Sequence, residues 1–515
     1  MKKTKTKTDA KSLWIKIGAI AFAVIFVATL LFSVLRYTTG VMHRISTAIT
    51  VGDDKVTAMD MRIFYADTRA NYLYQYGSIL QMYGYDLSTI DSQPCLYDRS
   101  KTWAGYFFEQ TLNSATNAMI IYQMAEADGY KTSDKVKADV ADYLNDIELA
   151  AKEDGISVRK YLKKLYGTGT TLKDIEKVAL ITQSVSEYYE SLIKGYRDGT
   201  TAEDVEKYYN EHKSDFDVAN YFVLVVPFET VKYTAPKDGE TLPEGAATSQ
   251  EDAVLKTEEN RKAAEALANE IKEKVTAENF DEIAKEYWTK VDAKNADVEF
   301  TTRLTTGKIS DTTSLYGEWY NKEGITEGTK IVLDNSDKNE YVVALYMGRN
   351  REEIGTVNVR HILIGAVTEI DEKLSAEEKA AAEKAKADAK AEADKILADF
   401  LAGDKTEEAF SKLAKEKSHD SGSLTTGGLY ENVAPGDMVS SFDKWIFDEA
   451  RKPGDTEVVE SQYGYHIIYF VGDGELDYVV NIKDIISSNK YNEKYDAFAE
   501  KVEVKNSNFG MMLAF

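Results

Sequence analysis

The chain has five histidines, and two of them lie in apolar runs that read as strands: Val359-Arg360-His361-Ile362-Leu363-Ile364 and Tyr463-Gly464-Tyr465-His466-Ile467-Ile468. Between these runs come Ser418-His419-Asp420-Ser421 and Gly436-Asp437-Met438, followed by Phe442. A polar ring taken out of water must find a hydrogen-bond partner. A neutral imidazole carries one donor and one acceptor nitrogen, so two of them can bond to each other, and Asp420 can accept from a ring. One histidine alone reads as a satisfied core residue. Two imidazoles, a carboxylate and the apolar pair Met438 and Phe442 read instead as one assembled pocket. No His-x-x-x-His or His-Glu-x-x-His spacing occurs, which argues against a hydrolytic metal centre. Ser421 and Ser423 lie near His419, but no Gly-x-Ser-x-Gly elbow accompanies them, which argues against a serine hydrolase.

The elements that must position these groups follow from periodicity. Val357, Val359, His361 and Leu363 share one strand face, so His361 points where its apolar neighbours point. Residues 216–350 and 354–475 read as two copies of one unit. Each opens with an apolar strand, Asn220 to Val225 in the first and Val359 to Ile364 in the second. Each continues through an Ala/Glu/Lys-rich helix and a short helix, Phe280…Ala284-Lys285-Glu286 against Phe410…Ala414-Lys415-Glu416. Each sets a glycine nine residues after a tryptophan, Trp319 to Gly328 and Trp445 to Gly454, and closes with an apolar strand, Val342 to Gly348 and His466 to Gly472. The order of elements predicts an α+β unit with helices packed on a small sheet. Aligning the copies sets Phe222 opposite His361, Lys290 opposite Asp420 and Val342 opposite His466. The first copy thus keeps the frame and loses the polar centre. The run Ala376 to Asp394, made only of Ala, Glu, Lys and Asp, reads as a solvated helix.

Upstream, Ala48 to Thr57 reads as a strand, a turn at Asp53-Asp54 and a second strand. Helical patterns follow near 57–81, 99–127, 132–153, 171–195 and 201–213, so 37–215 is expected to form a helical domain. Downstream, 476–515 carries an amphipathic stretch with Tyr495, Phe498 and Val502 on one side, expected to pack back on that domain.

At 515 residues the chain is too long for one core. Its net charge of −24 argues against nucleic-acid binding, which needs a basic footprint. Cys95 is the only cysteine, so no intramolecular disulfide and no multi-cysteine metal site can form. Ile17 to Leu35 is a run of apolar or small residues without a charge, long enough to cross a hydrocarbon core. Lys2, Lys3, Lys5, Lys7, Lys11 and Lys16 precede or border it. The positive-inside rule then predicts a cytoplasmic tail at 1–16, a transmembrane anchor at 17–36 and the remaining chain outside.

The segment 354–475 resembles the parvulin family of peptidyl-prolyl cis/trans isomerases. The resemblance rests on the His-Ile-Leu opening strand, Ser418-His419-Asp420-Ser421, Gly427-Gly428, Gly436-Asp437-Met438 with Phe442, and the Tyr-Gly-Tyr-His-Ile-Ile close. Anchor, helical domain and tandem units together resemble the SurA/PrsA-like extracytoplasmic foldases of bacteria. The fold implied is α+β: an N-terminal transmembrane helix, a helical chaperone-like domain at 37–215, a degenerate parvulin-like unit at 216–350, a parvulin unit at 354–475 and a C-terminal helical segment at 476–515. By the resemblance, His361 and His466 form a hydrogen-bonded pair at the pocket floor, beside Asp420 and Ser461. Met438 and Phe442 form the apolar cup for a proline ring, and either Leu429 or Tyr430 lines it. Two departures stand out: Val439 where some members carry a glutamine, and Gly428-Leu429-Tyr430-Glu431-Asn432 in place of Gly-Asp-Leu-Gly. The implied partners are unfolded exported polypeptides bearing X-Pro bonds, and the membrane through the N-terminal helix. No cofactor and no metal are implied. Asp420 near the bound carbonyl would favour loss of amide resonance. The alternative is a membrane-tethered holdase whose parvulin units are only scaffolds.

Overall fold

The computed structural model describes residues 39–236, 242–243, 245–292, 294–295, 304–366 and 375–514. The expected tail at 1–16 and anchor at 17–36 lie outside the described residues. Among the described residues no helix is long and apolar enough to cross a membrane. Contacts divide the chain into two units, one comprising 1–200 with 484–515 and the other 201–483.

The first unit begins with α1 (Val41–Ile45), the hairpin β1 (Thr47–Val51) and β2 (Asp54–Thr57), and α2 (Ala58–Met82). It continues with α3 (Trp103–Ala127), α4 (Asp134–Glu153), α5 (Val158–Tyr166) and α6 (Leu172–Asp198). Helix starts are written in the sequence. Thr57 with Asp60 and Thr171 with Asp174 form capping boxes that satisfy the first free amides of α2 and α6. The core joins Ile49, Met59, Met61 and Ile63 to Ala115, Met119 and Ile175. A second cluster centres on Trp103 and Phe107 and contains the buried, free Cys95. The hairpin turn falls at Gly52-Asp53, one residue earlier than expected, where Gly52 supplies a φ of 56°.

The second unit begins with α7 (Ala202–Glu211) and α8 (Lys213–Phe216), so the boundary falls at 200/201 and not at 215/216. The side chains explain the shift. Arg351 pairs with Glu206 and lies 4.7 Å over the Tyr209 ring, and the Tyr209 hydroxyl donates to Asp217 at 2.7 Å. Two similar frames follow. The first holds β3 (Asp217–Pro227), α9 (Gln250–Lys274), α10 (Phe280–Val291), β4 (Leu304–Lys308), α11 (Leu315–Tyr320), β5 (Lys330–Asn335) and β6 (Glu340–Arg351). The second holds β7 (Gly355–Gly365), α12 (Ala376–Ala402), α13 (Glu407–Lys417), β8 (Leu429–Val433), α14 (Ser440–Ile446), β9 (Thr456–Ser461) and β10 (Gly464–Leu476). Their antiparallel sheets have the strand orders β4-β3-β6-β5 and β8-β7-β10-β9, the same arrangement twice.

Registers align the frames without reference to side chains. Gly348 pairs with Asn220, and Gly472 pairs with Asn358, each beside a register break. Counting from these bulges sets Val223 opposite His361 and Val342 opposite His466. The expected match of Phe222 to His361 is therefore off by one residue. Phe222 corresponds to Arg360, and its ring stacks on Phe280 at 5.0 Å on the helix-covered face. Lys290 stays within α10, its ammonium 4.2 Å over the Tyr287 ring, whereas Asp420 lies in the loop beyond α13.

Helix α15 (Asp477–Ala499) leaves β10 and crosses the 483/484 boundary. Beyond it, β11 (Val504–Asn506) pairs with β1, giving the sheet order β11-β1-β2, and α16 (Asn508–Ala514) ends the described chain. Tyr495, Phe498 and Val502 pack on the core of the first unit.

Candidate active site

The second frame divides its side chains by strand parity. Ile362 and Ile364 pack beneath α12 and α13, while Val357 and Val359 pack with Phe442, Trp445 and Ile468 on the other face. His361 shares the parity of the second group. It pairs with Ile468, and His466 pairs with Leu363, so the two histidines are diagonal neighbours on one face of β7 and β10. Ser461 pairs with Gly464 at the β9–β10 turn, on the same face.

The loop after α13 brings Asp420 to this face by docking on β7. The His419 amide donates to the Leu363 carbonyl at 2.8 Å, and the Leu363 amide donates to Ser418 Oγ at 3.1 Å. The Gly365 amide donates to His419 Nδ1 at 3.0 Å. His419 is thus engaged in holding the loop. Among the described residues, no group of His, Cys, Asp and Glu could hold a metal ion. Gly428 seals the other side. Its carbonyl accepts from the His361 amide at 2.9 Å, its φ is 76°, and a Cβ there would lie 2.2 Å from the His361 carbonyl oxygen.

Four polar side chains form one continuous chain. Ser461 Oγ lies 2.7 Å from His466 Nε2, His466 Nδ1 lies 3.1 Å from His361 Nδ1, and His361 Nε2 lies 2.9 Å from Asp420 Oδ2. The Tyr430 hydroxyl donates to the same Asp420 oxygen at 3.0 Å, Ser423 Oγ donates to it as well, and the Gly422 amide donates to Oδ1 at 3.2 Å. The hydrogen bond from His361 holds the Asp420 carboxyl well below the usual range; Ser423 and Tyr430 add to this, and partial burial opposes it. Burial, then the neighbouring His361, lowers His466 to about 4, against a pull upward from Asp420. His466 is therefore neutral near pH 7 and has one N–H to give. With both rings neutral, the ionised carboxylate fixes every proton. His361 donates from Nε2 to Asp420, His466 donates from Nδ1 to His361, and Ser461 donates to His466.

The apolar side closes over the rings. Phe442 is 2% exposed, and its ring meets His361 and His466 edge-on at 5.5 and 5.3 Å. The Tyr430 ring lies 5.3 Å from His361, and half-buried Met438 packs in the same cluster with Val439. Of the expected residues, His361, Asp420, His466, Ser461, Met438, Phe442 and Tyr430 come together. Leu429 does not. It pairs with Arg360 and takes the helix-side parity, while Tyr430 pairs with Val359 and takes the site side. Sequence reasoning missed the second role of Tyr430, as a donor to Asp420, and the role of Ser423. Only the position of Ser423, three residues after the aspartate, hinted at its bond.

This arrangement is that of a parvulin-type domain, and residues 344–473 match the PPIC-type PPIase domain family. The relatives are foldases. A stretch of 67 residues is 40% identical to Foldase protein PrsA 1 of Listeria monocytogenes, covering 13% of this chain and 23% of that protein. A stretch of 103 residues is 37% identical to Foldase protein PrsA of Staphylococcus epidermidis, covering 20% and 28%. The chain thus spans about a quarter of the length of these curated relatives. Among solved structures, PrsA from Bacillus subtilis overlaps 80% of this chain and 91% of its own, at 16% identity and a TM-score of 0.27.

Proposed function

We propose that the protein is a peptidyl-prolyl cis/trans isomerase and folding chaperone that acts on unfolded exported polypeptides outside the cytoplasm, held to the membrane by residues 17–36. The observation that carries this reading is the chain Ser461–His466–His361–Asp420 running beneath Phe442, Met438 and Tyr430. Rotation about an amide bond is opposed by a barrier of about 18–20 kcal/mol, because resonance must be lost. Left alone, X-Pro bonds exchange over tens to hundreds of seconds, slowly enough to limit folding. Phe442 and Met438 grip the proline ring while the preceding carbonyl swings. The twisted amide is less polar than either planar form, so an apolar cup favours it, and catalysis is differential binding with no bond made or broken. The hydrogen-bonded chain fixes both imidazoles beneath the rotating bond. The three donors on Asp420 Oδ2 support a positioning role through His361, in place of direct action on the carbonyl. In this reading 37–200 with the C-terminal segment is the chaperone part, and the frame at 217–351 is a silent parvulin-like scaffold.

The test is exchange of a proline tetrapeptide, followed by protease coupling or NMR, with the full chain and with His466→Ala. Activity that disappears in the variant supports the reading; a wild-type chain that leaves the uncatalysed rate unchanged sinks it. The holdase alternative draws on the first frame, which keeps the sheet with Val223 and Val342 in place of the histidines. Suppression of client aggregation without any isomerase activity would favour it.

A further inference from the structure

Within the first unit a cleft of about 1250 Å3 opens among α2, α3, α4, α5 and α6. Its walls carry phenol and amide groups, among them Tyr65, Tyr106, Gln110 and Gln183. Asp67 lines it from α2, hydrogen-bonded to the hydroxyl of Tyr166 on α5, which in turn lies 3.0 Å from the Tyr143 hydroxyl on α4. Burial pushes the Asp67 carboxyl up to about 6, and the Tyr166 bond offsets only part of that. Of the cations that line the cleft, Arg69 pairs with Asp91 at 2.7 Å, and Lys164, which is exposed, lies 3.4 Å from Asp154. The residues that α3 and α6 contribute are uncharged. Among the described residues Asp67 has no ion pair, so near neutral pH a poorly hydrated carboxylate faces a tyrosine-walled space without a counter-charge. A burial cost of that kind is recovered when an opposite charge arrives with its own hydrogen bonds. Tyrosine faces suit the same visitor, because a cation is attracted to the ring and an alkyl stem packs along it.

We propose that this cleft binds an extended polypeptide segment through one basic side chain, lysine or arginine, whose charged head docks on Asp67 between the tyrosines. The inference rests on the proposed function only in taking an unfolded chain as ligand; the prolyl site has no part in it. Asp67 is then a specificity residue, selecting segments that carry an isolated cation. Binding releases the proton that Asp67 retains in acid, so the preference for a basic residue weakens as pH falls below about 6.

The experiment uses the full chain and a fluorescent, proline-free decapeptide of Ala, Gln and Phe with one central lysine, beside the same peptide with norleucine. At near-neutral pH and physiological salt, anisotropy is expected to give about tenfold tighter binding of the lysine peptide. Asp67→Asn should bind both peptides alike and keep wild-type tetrapeptide isomerisation. Equal affinities in the wild type, or a lysine preference that survives in the variant, overturn the proposal. If the variant does not fold, the wild-type ratio decides: a preference that stays constant from neutral pH to below 6 overturns it. A chain inactive toward tetrapeptides that still prefers lysine would sink the isomerase reading and leave this one standing.

Discussion

Replacing Asp420 separates positioning from direct action. In Asp420→Asn the shape is kept and the charge is lost. The carboxylate oxygen Oδ2 accepts from His361, Ser423 and Tyr430. An uncharged amide oxygen is a weaker acceptor than a carboxylate oxygen, so one of the three donors is expected to turn away. Hydrogen bonds to a charged group contribute about 1.5–3 kcal/mol and neutral ones about 0.5–1.5. The His361 bond therefore weakens by about 1 kcal/mol and the displaced hydroxyl forfeits about 1 more. If that loss is felt in the twisted state, kcat/KM falls about 30-fold. Asp420→Ala leaves His361 Nε2 with no acceptor, and kcat/KM should fall about 100-fold or more. The assay is tetrapeptide exchange, with near-UV circular dichroism to confirm folding and long-range 1H–15N spectra to read the tautomers of His361 and His466. A positioning role gives the order wild type, Asn, Ala, and a mixed tautomer in both variants. A carboxylate acting on the carbonyl itself gives equally low Asn and Ala, whatever the tautomers do. Two folded variants at the wild-type rate would refute any role for Asp420.

Acid should loosen the second frame in two stages. His466 is held at about 4 against an ordinary 6.5, so the unfolded chain takes up that proton first, and stability falls as pH drops from about 6.5 to 4, by about 3 kcal/mol in all. The Asp420 carboxyl is depressed, so its contribution is present above its ordinary pKa near 3.8 and is lost only as pH falls further. Amide exchange along β10 reads both stages, and a flat profile between pH 6.5 and 4 would contradict the first. Gly428→Ala forces a Cβ within 2.2 Å of the His361 carbonyl at a φ of 76°, and should cost about 2–4 kcal/mol of stability as well as activity; normal melting and turnover would refute the close approach. Trp319→Ala, at a site 1% exposed in the first frame, should destabilise that frame by about 3–5 kcal/mol and leave kcat/KM of the folded protein intact; a lost rate would tie the first frame to catalysis.

Much of the site could be read from strand parity. His361 and His466 sit in uninterrupted apolar runs, so period two fixes their face once the strands pair. What parity cannot reveal is a bulge. Nor does it align two copies: the strand registers set Val223, not Phe222, opposite His361, and a one-residue slip turns a side chain to the other face. The break in β7–β8 pairing between Val357 and Val359 likewise hid which of Leu429 and Tyr430 faces the histidines. The nine-residue helix α5 was missed although Val158, Tyr161, Leu162, Leu165 and Tyr166 keep helical spacing, because the segment is shorter than the stretch over which that period is read. The boundary at 200/201 was hidden because Arg351, far away in sequence, ties α7 to the first frame.

The two frames together weigh what the polar chain is for. Buried polar groups seldom stabilise a fold more than well-packed apolar residues of similar size. The first frame illustrates this with Val223 and Val342 at the histidine positions, backed by Tyr221, Trp319, Tyr320 and Tyr346, all buried. The same strand order and the same glycine bulge form without any imidazole. The shared frame therefore does not depend on imidazoles, and the second frame is expected to stand without His361 and His466. A half-satisfied network would be worse than either alternative, yet in the second frame each member has its partner, down to Ser423 and Tyr430 on Asp420. A network so completed, on a frame that folds without it, is what a site selected for its chemistry requires. The double variant His361→Val with His466→Val puts this to the test: it should fold at least as well as the wild type near neutral pH and lose isomerisation. A collapse of the second frame would show that the histidines were structural after all.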